Sequence, residues 1–194
     1  MDWRIYHAFN VWASEHTGVA HATDVLMNVA IVALVAGAVA LWFAARPGGS
    51  PRWKLGAASA LASGALGYLV NQVIHAIHDR PRPYETHDVA WHPYASGTDA
   101  SFPSDHSSAA FGIAWGVFLI DRTVGAIFLA VAAVMDVCRL TIGAHYPGDL
   151  LAGVGVGLFV AAVVVYLGRP LLAWLVRLVE RLTDPLVRPL WRRG

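Results

Sequence analysis

The chain has 194 residues, of which 57% are hydrophobic and only 14% are charged. Average soluble domains carry about 25% charged residues, so this composition excludes a water-soluble globule and a disordered chain. A formal net charge of +1 and a single cysteine, Cys138, argue against a nucleic-acid binder, a disulfide framework and a cysteine-rich metal site. The composition predicts one integral membrane domain over residues 1–194.

Five stretches are apolar over enough length to be predicted as membrane-spanning helices, which need roughly 20 such residues. In chain order they are residues 24–45, 54–78, 104–120, 123–142 and 147–167. The region from 79 to 103 is polar, holds four prolines and has no helical period, so it is predicted to be a long loop. The predicted fold is all-α, a polytopic membrane helical bundle.

Two terminal segments are amphipathic instead of uniformly apolar. Residues 2–16 mix aromatic and polar side chains, which predicts an interfacial or partly inserted helix. Residues 170–193 carry five arginines among leucines and tryptophans, which predicts a helix along the membrane surface. The bundle therefore has five transmembrane helices, or six if residues 2–16 insert fully.

Lysine and arginine in short loops predict the orientation of the bundle, because such loops stay in the cytoplasm. Arg46, Arg52 and Lys54 place the connection between the first two spans inside. By alternation, the 79–103 loop and the 139–147 connection both face outward. We therefore expect these two segments to share the outer face of the membrane.

Three segments bring ionisable residues to this outer face, where such groups are costly and mark functional sites. They are His75, His78, Arg80 and Arg82 in HAIHDRPRPYE, Ser104, Asp105 and His106 in SFPSDHSS, and Arg139, His145 and Asp149 in CRLTIGAHYPGD. Because all three segments lie at one membrane level, we expect them to form a single site.

The residue types in these segments suit phosphoryl transfer. Ser104 is in position to cap a helix whose first N–H groups would bind an anion. Asp149, four residues after His145, is expected to reach the imidazole and fix its tautomer, which leaves the other nitrogen as a base or nucleophile. Arg82 and Arg139 supply fork-shaped donors for phosphate oxygens.

These strings resemble the type 2 phosphatidic acid phosphatase superfamily of membrane lipid phosphatases. The family pattern is K-x6-RP, then PSGH, then SR-x5-H-x3-D. This sequence has RP at Arg82, PSDH ending at His106, and R-x5-H-x3-D starting at Arg139, in the same order. The match covers roughly residues 54–168, and the third motif is specific by its spacing.

The resemblance implies roles for the site residues. His145 would be the nucleophile that forms a phosphohistidine, Asp149 would orient it, and His106 would be the general acid. The implied phosphate-binding residues are Arg82, Arg139 and Ser104, with His75, Asp105 and Arg80 around them. The resemblance implies no metal and no cofactor.

Three positions depart from the family pattern. His75 stands where the first motif has lysine, Cys138 replaces the serine before Arg139, and Asp105 replaces the glycine of PSGH. A carboxylate beside a phosphate is repelled unless it turns outward or pairs with an arginine, for which Arg80 is the candidate. The PSDH variant and the compact length are similar to the branch that includes bacterial undecaprenyl pyrophosphate phosphatases.

The sequence is therefore interpreted as a bacterial cell-membrane enzyme that hydrolyses a polyprenyl (undecaprenyl) pyrophosphate to the monophosphate at the outer face. Its expected partners are the lipid substrate and the bilayer, not nucleic acid. Three alternatives stay open: a phosphatase for phosphatidic acid or phosphatidylglycerophosphate, a lipid phosphotransferase, and a lipid-binding or transport protein without hydrolysis. Nearby histidines lack the cysteine or carboxylate that would complete a zinc site.

Overall fold

The computed structural model describes residues 1–92 and 99–191. The regular secondary structure of these residues is helical, and they contain no β-strand. In chain order the helices are α1 (Asp2–Glu15), α2 (Thr17–Ala44), α3 (Arg52–Ile77), α4 (Pro83–Thr86), α5 (Asp105–Phe118), α6 (Arg122–Thr141), α7 (Pro147–Ala162) and α8 (Arg169–Trp191), and a π-helical turn (Val163–Leu167) precedes α8. The all-α prediction is confirmed. Two arginines of the predicted C-terminal segment, Arg192 and Arg193, lie outside the described residues.

Within the described residues, four helices are long and apolar enough to cross a bilayer, namely α2, α3, α6, and α7 with its π turn. The five predicted spans are one more than these four, because the stretch 104–120 forms a shorter helix. Helix α5 has 14 residues and measures about 21 Å, against roughly 30 Å for a hydrocarbon core. The predicted span 104–120 was too long because Ser104 is the helix cap and residues 119–121 form the following turn.

Helix α5 lies in the middle of the bundle, between α3 and α7, and glycines bring these backbones together. A Cβ atom at Gly112 would lie 2.6 Å from the carbonyl oxygen of Ser63 on α3. A Cβ atom at Gly157 on α7 would lie 2.7 Å from the backbone nitrogen of Gly112. Neither contact leaves room for a side chain. The short central helix is therefore packed backbone against backbone on both sides.

Helix α1 has 14 residues, is not among the helices long enough to span a bilayer, and lies across the end of the bundle where α6 meets α7. The Tyr6 hydroxyl donates a 3.1 Å hydrogen bond to the carbonyl oxygen of Gly143. The side-chain oxygen of Asn10 accepts a 3.1 Å bond from the backbone N–H of Trp91, and its amide nitrogen donates to the Trp91 carbonyl. Because α1 lies across this end, it adds no sixth span.

Helix α8 is amphipathic and is attached to the opposite end of the bundle. Lys54, at the start of α3, is 3% exposed and contacts Glu180 at 3.1 Å and Asp184 at 2.5 Å. Trp42, near the end of α2, donates a hydrogen bond to Thr183 at 3.2 Å. The predicted surface helix is thus held against the ends of α2 and α3.

The chain between α3 and α5 covers the end where α1 lies. The described part of the predicted loop contains a short helix, α4, which begins where the backbone N–H of Arg82 donates to the Glu85 carboxylate at 2.6 Å. Farther along, the backbone N–H of Ser101 donates to the carbonyl oxygen of Arg80 at 2.7 Å. This contact brings both ends of the connection to the start of α5.

Candidate active site

A cavity of about 280 Å³ lies where α5 begins. Its polar lining consists of Arg82, Asp99, Asp105, His106, Arg139 and His145. Its apolar wall includes Ile31 of α2 and Tyr68 of α3, both within membrane-crossing helices. The cavity therefore joins a strongly polar end to an apolar region between two spans, as the site of a phosphorylated lipid would.

Ser104 caps α5 as the sequence predicts. Its hydroxyl accepts a 3.4 Å hydrogen bond from the backbone N–H of Ser107. The backbone N–H of Ser104 donates to the carbonyl oxygen of Asp149 at 3.1 Å, so that α5 and α7 begin side by side. His106 follows in the first turn of α5 and lines the cavity, whereas Ser104 is fully buried behind it.

His145 lies just before α7 and is 1% exposed. Its Nδ1 is 2.9 Å from the carbonyl oxygen of Ser101, and its Nε2 is 2.6 Å from Nη2 of Arg139. A carbonyl only accepts and a guanidinium only donates, so the imidazole is neutral with its proton on Nδ1. Burial, together with the charges of Arg139 and Arg82, holds the pKa of His145 well below its usual value. The Nε2 lone pair therefore points toward the arginines.

Asp149 is fully buried, but its carboxylate does not hydrogen-bond to His145, since Oδ2 and Nδ1 are 3.9 Å apart. The Ser101 hydroxyl lies between them, donating to Oδ2 at 2.5 Å and lying 3.4 Å from Nδ1. Asp149 also accepts from the backbone N–H of Tyr146 at 3.0 Å. The direct contact expected from the four-residue spacing is thus replaced by one through Ser101.

Arg82 and Arg139 both contact the Nε2 atom of His145. Nη1 of Arg82 is 3.4 Å from it and donates to the Ala144 carbonyl at 3.1 Å, while Nη2 binds the Asp99 carboxylate at 2.9 Å. Partial burial raises the pKa of Asp99, but the charge of Arg82, its hydrogen bond, a backbone hydrogen bond and the charge of His75 together lower it below its usual value. Arg139 is 7% exposed, and its buried Nε has no hydrogen-bond partner among the described residues. Such a costly unpaired donor suits an anion in the cavity.

Two residues expected to bind phosphate have protein partners instead. His75, in the lysine position of the first motif, has its Nε2 3.0 Å from the carbonyl oxygen of Pro103 and is not part of the cavity lining. Asp105 lines the cavity, and its carboxylate accepts from Asn71 at 2.9 Å and from Gln72 at 3.1 Å. Amide groups of α3, and not an arginine, therefore offset the carboxylate that replaces glycine.

Arg80 is not among the residues that line the cavity, and its hydrogen bonds go to Asp149 and Asp2 and not to the expected partner Asp105. Its Nη1 donates to Asp149 at 2.6 Å, and its Nη2 donates to Asp2 of α1 at 3.1 Å. Sequence reasoning missed both Asp2 and Ser101, which no local motif marks. Among the described ranges, no group of three or more His, Cys, Asp or Glu side chains is arranged to hold a metal ion.

The family model of the PAP2 superfamily matches residues 56–172 of this chain. The chain belongs to the PAP2 superfamily. The matched range contains every motif residue of the site, from His75 to Asp149. It leaves out α1, so the contact of Asp2 with Arg80 adds a residue from outside the PAP2 region.

Two curated proteins and one solved structure are similar to this PAP2 chain. It is 27% identical over 193 residues to the undecaprenyl-diphosphatase BcrC of Bacillus subtilis, with 97% of this chain and 96% of that protein covered. It is 30% identical over 149 residues to the decaprenylphosphoryl-5-phosphoribose phosphatase of Mycobacterium tuberculosis, covering 76% and 75%. The crystal structure of a PAP2-type phosphatidylglycerolphosphate phosphatase from Bacillus subtilis has the same fold, with a TM-score of 0.55, 22% identity, and 87% and 85% coverage.

Proposed function

We propose that this PAP2 protein hydrolyses undecaprenyl pyrophosphate or a related polyprenyl pyrophosphate to the monophosphate, through a phosphohistidine and without a metal, at the outer face of a bacterial membrane. The observation that carries the proposal is the Nε2 lone pair of His145, which meets the guanidinium groups of Arg139 and Arg82 inside the cavity. Full-length similarity to an undecaprenyl-diphosphatase supports the choice of substrate.

In the first step, Nε2 of His145 attacks the terminal phosphorus and the bond from that phosphorus to the bridging oxygen breaks. The developing charge falls on the phosphoryl oxygens, toward which Arg139 turns from its contact with the imidazole. Its unpaired Nε–H then gains an acceptor. In the site without substrate, burial and the charges of Arg139 and Arg82 lower the pKa of His106 to about 4. The negative charge of the bound pyrophosphate favours uptake of a proton by His106, which gives it to the leaving lipid monophosphate, a contribution of about 10²–10⁴-fold for a well-placed general acid.

In the second step, water hydrolyses the phosphohistidine. The phosphorylated ring of His145 is positively charged and keeps its proton on Nδ1, where the Ser101 carbonyl accepts it. The Asp149 carboxylate, 3.9 Å from Nδ1, stabilises this charge. His106, now neutral, takes a proton from water as the water attacks phosphorus. Inorganic phosphate leaves, and both histidines return to their starting states.

The apolar part of the cavity supports a lipid substrate. Ile31 and Tyr68 lie on two different membrane-crossing helices, and Tyr68 is 48% exposed beside the cavity. Ala109, one turn after the start of α5, continues this wall below His106. A pyrophosphate at the arginines would therefore extend its isoprenoid chain along α5 and between α2 and α3, where burial of apolar surface favours binding.

The test is phosphate release by the detergent-purified protein with EDTA present. Undecaprenyl pyrophosphate, undecaprenyl phosphate and phosphatidic acid are compared, with His145→Ala as the blank and His16→Ala, an exposed histidine of the N-terminal region, as the matched control. We expect release from the pyrophosphate that His145→Ala abolishes and His16→Ala preserves. Release mainly from phosphatidic acid would contradict the proposed polyprenyl substrate. Loss of activity in EDTA would contradict metal independence, and no release from any of the three lipids would contradict the proposed hydrolase activity.

A further inference from the structure

A continuous chain of polar contacts leads from α1 to the imidazole of His145. It runs from Asp2 to Arg80 (3.1 Å), from Arg80 to Asp149 (2.6 Å), from Asp149 to Ser101 (2.5 Å) and from Ser101 to His145 (2.9 Å to the carbonyl oxygen). The cavity is lined by only the last of these residues. The other four residues lie outside the cavity lining, on the side of His145 that faces away from the cavity.

We propose that Asp2 and Arg80 are positioning residues for phosphoryl transfer. They hold the Asp149 carboxylate so that it fixes Ser101, which in turn keeps the proton of His145 on Nδ1. This inference rests on the phosphohistidine chemistry of the proposed function. It makes α1, which lies outside the PAP2 match, a part of the active site.

The need for Arg80 follows from the burial of Asp149. A carboxylate with no exposed surface is destabilised unless a charge and several donors compensate it. Arg80 supplies the charge, while Ser101 and the backbone of Tyr146 supply further donors. Without Arg80, Asp149 would take up a proton and could itself donate to Ser101. The Ser101 hydroxyl would then lose the acceptor that anchors this residue, and the Ser101 carbonyl would no longer be held at Nδ1 of His145. The tautomer of His145 would be less firmly fixed.

Asp2 keeps Arg80 in this place. Its Oδ2 accepts from Arg80, and its Oδ1 accepts from the backbone N–H of Gly148 in the first turn of α7 at 2.9 Å. The guanidinium of Arg80 also lies 4.2 Å from the ring centre of Tyr146. Arg80 is thereby held between an aromatic face and two carboxylates, in one orientation. Removing the charge of Asp2 leaves the guanidinium of Arg80 with Asp149 as its carboxylate partner at one end only.

The first test compares Asp2→Asn with Glu15→Gln, which removes an exposed negative charge from the other end of α1. We expect Asp2→Asn to lower kcat about tenfold, the lower end of the effect known for residues that orient metal-binding histidines, with KM changed less than about twofold because Asp2 does not line the cavity. Glu15→Gln should leave both values unchanged. In an Arg80→Gln background, Asp2→Asn should cost nothing further, and Arg80→Lys should recover part of the rate that Arg80→Gln loses.

A second readout does not need a substrate. The ¹⁵N shifts of the His145 ring in detergent micelles, assigned by their loss in His145→Gln, report which nitrogen is protonated. We expect the Nδ1–H form in the wild type and a mixture of tautomers in Asp2→Asn and Ser101→Ala. Unchanged kcat and unchanged shifts in Asp2→Asn, or losses from Asp2→Asn and Arg80→Gln that multiply, would overturn the inference. Failure of the polyprenyl assignment alone would leave the shifts as predicted.

Discussion

At the residue scale, the cavity contains one buried cation, Arg139, whose guanidinium has no carboxylate hydrogen-bonded to it among the described residues. Arg139 donates to His145 and to the sulfur of Met27. Asp136, one turn earlier on α6, instead accepts from the hydroxyl of Ser107 at 2.7 Å. Desolvated guanidinium groups without full compensation favour a multiply charged anion over a neutral ligand. The site is therefore electrostatically prepared for a phosphate or pyrophosphate group.

The buried neutral state of His145 predicts how stability depends on pH. Its pKa is far below about 6.5 in the folded protein, so between these values only the unfolded chain binds the proton. Stability due to this group must then fall as the pH falls below about 6.5, by up to about 1.4 kcal/mol per pH unit. We expect the free energy of unfolding in detergent to fall less steeply in His145→Gln than in the wild type between pH 7.5 and 5.

The matched control for this titration is His16→Gln, since His16 is an exposed histidine. Its variant should keep the wild-type dependence on pH. Equal slopes for His145→Gln and the wild type would contradict the assignment of a buried neutral imidazole.

The sequence predicts site residues where the constraint is local. Ser104 as a helix cap and His145 beside the start of α7 follow from spacing and helix geometry alone. The contacts of Ser101 with His145, and of Asp2 with Arg80, join residues 44 and 78 positions apart. They depend on how a long loop folds back and on where α1 docks, and neither is determined by local pattern. The partners of Arg80 were therefore beyond prediction.

At the element scale, hydropathy predicted the C-terminal ends of α2 and α3 well because breaker-rich or polar segments end them. The predicted start of α2 at residue 24 was wrong by seven residues, because polar residues from Thr17 onward also belong to the helix. The end of α2 at Ala44 and that of α3 at Ile77 are each within one residue of the predicted bounds. Helix α5 was harder, since its hydropathy alone does not reveal that the helix is short. The glycines that pack it against α3 and α7 become meaningful only when the facing backbones are known. Close backbone packing is a common way to stabilise helix contacts in membranes.

This packing predicts opposite effects for one substitution at two positions of α7. At Gly157 an added methyl would clash with the backbone of α5 at 2.7 Å, whereas at Gly155 it would meet nothing within 4 Å. We expect Gly157→Ala to destabilise the protein by about 1–3 kcal/mol. Gly155→Ala should be neutral or stabilising by up to about 1 kcal/mol, because alanine favours the helix. Thermal unfolding in detergent measures both, and equal effects would contradict the packing.

At the scale of the whole molecule, the two ends of the bundle differ in chemistry. The site, α1 and the connections after α3 and α6 lie at one end. The other end holds α8 and basic residues of the α2–α3 connection, among them Arg52, which pairs with Asp121 at 3.3 Å, and buried Lys54. Because basic connections stay in the cytoplasm, this asymmetry supports a site on the outer face.

Cysteine labelling tests that orientation, and the chain is suited to it because its single cysteine, Cys138, is 2% exposed. In a Cys138→Ala background, Asp88→Cys places a thiol at the site end, and Ser50→Cys places one in the α2–α3 connection; both positions are exposed. A membrane-impermeant maleimide should label Asp88→Cys in intact bacterial cells, but Ser50→Cys only after permeabilisation. The reverse pattern would put the site in the cytoplasm, where a lipid carrier released outside could not reach it.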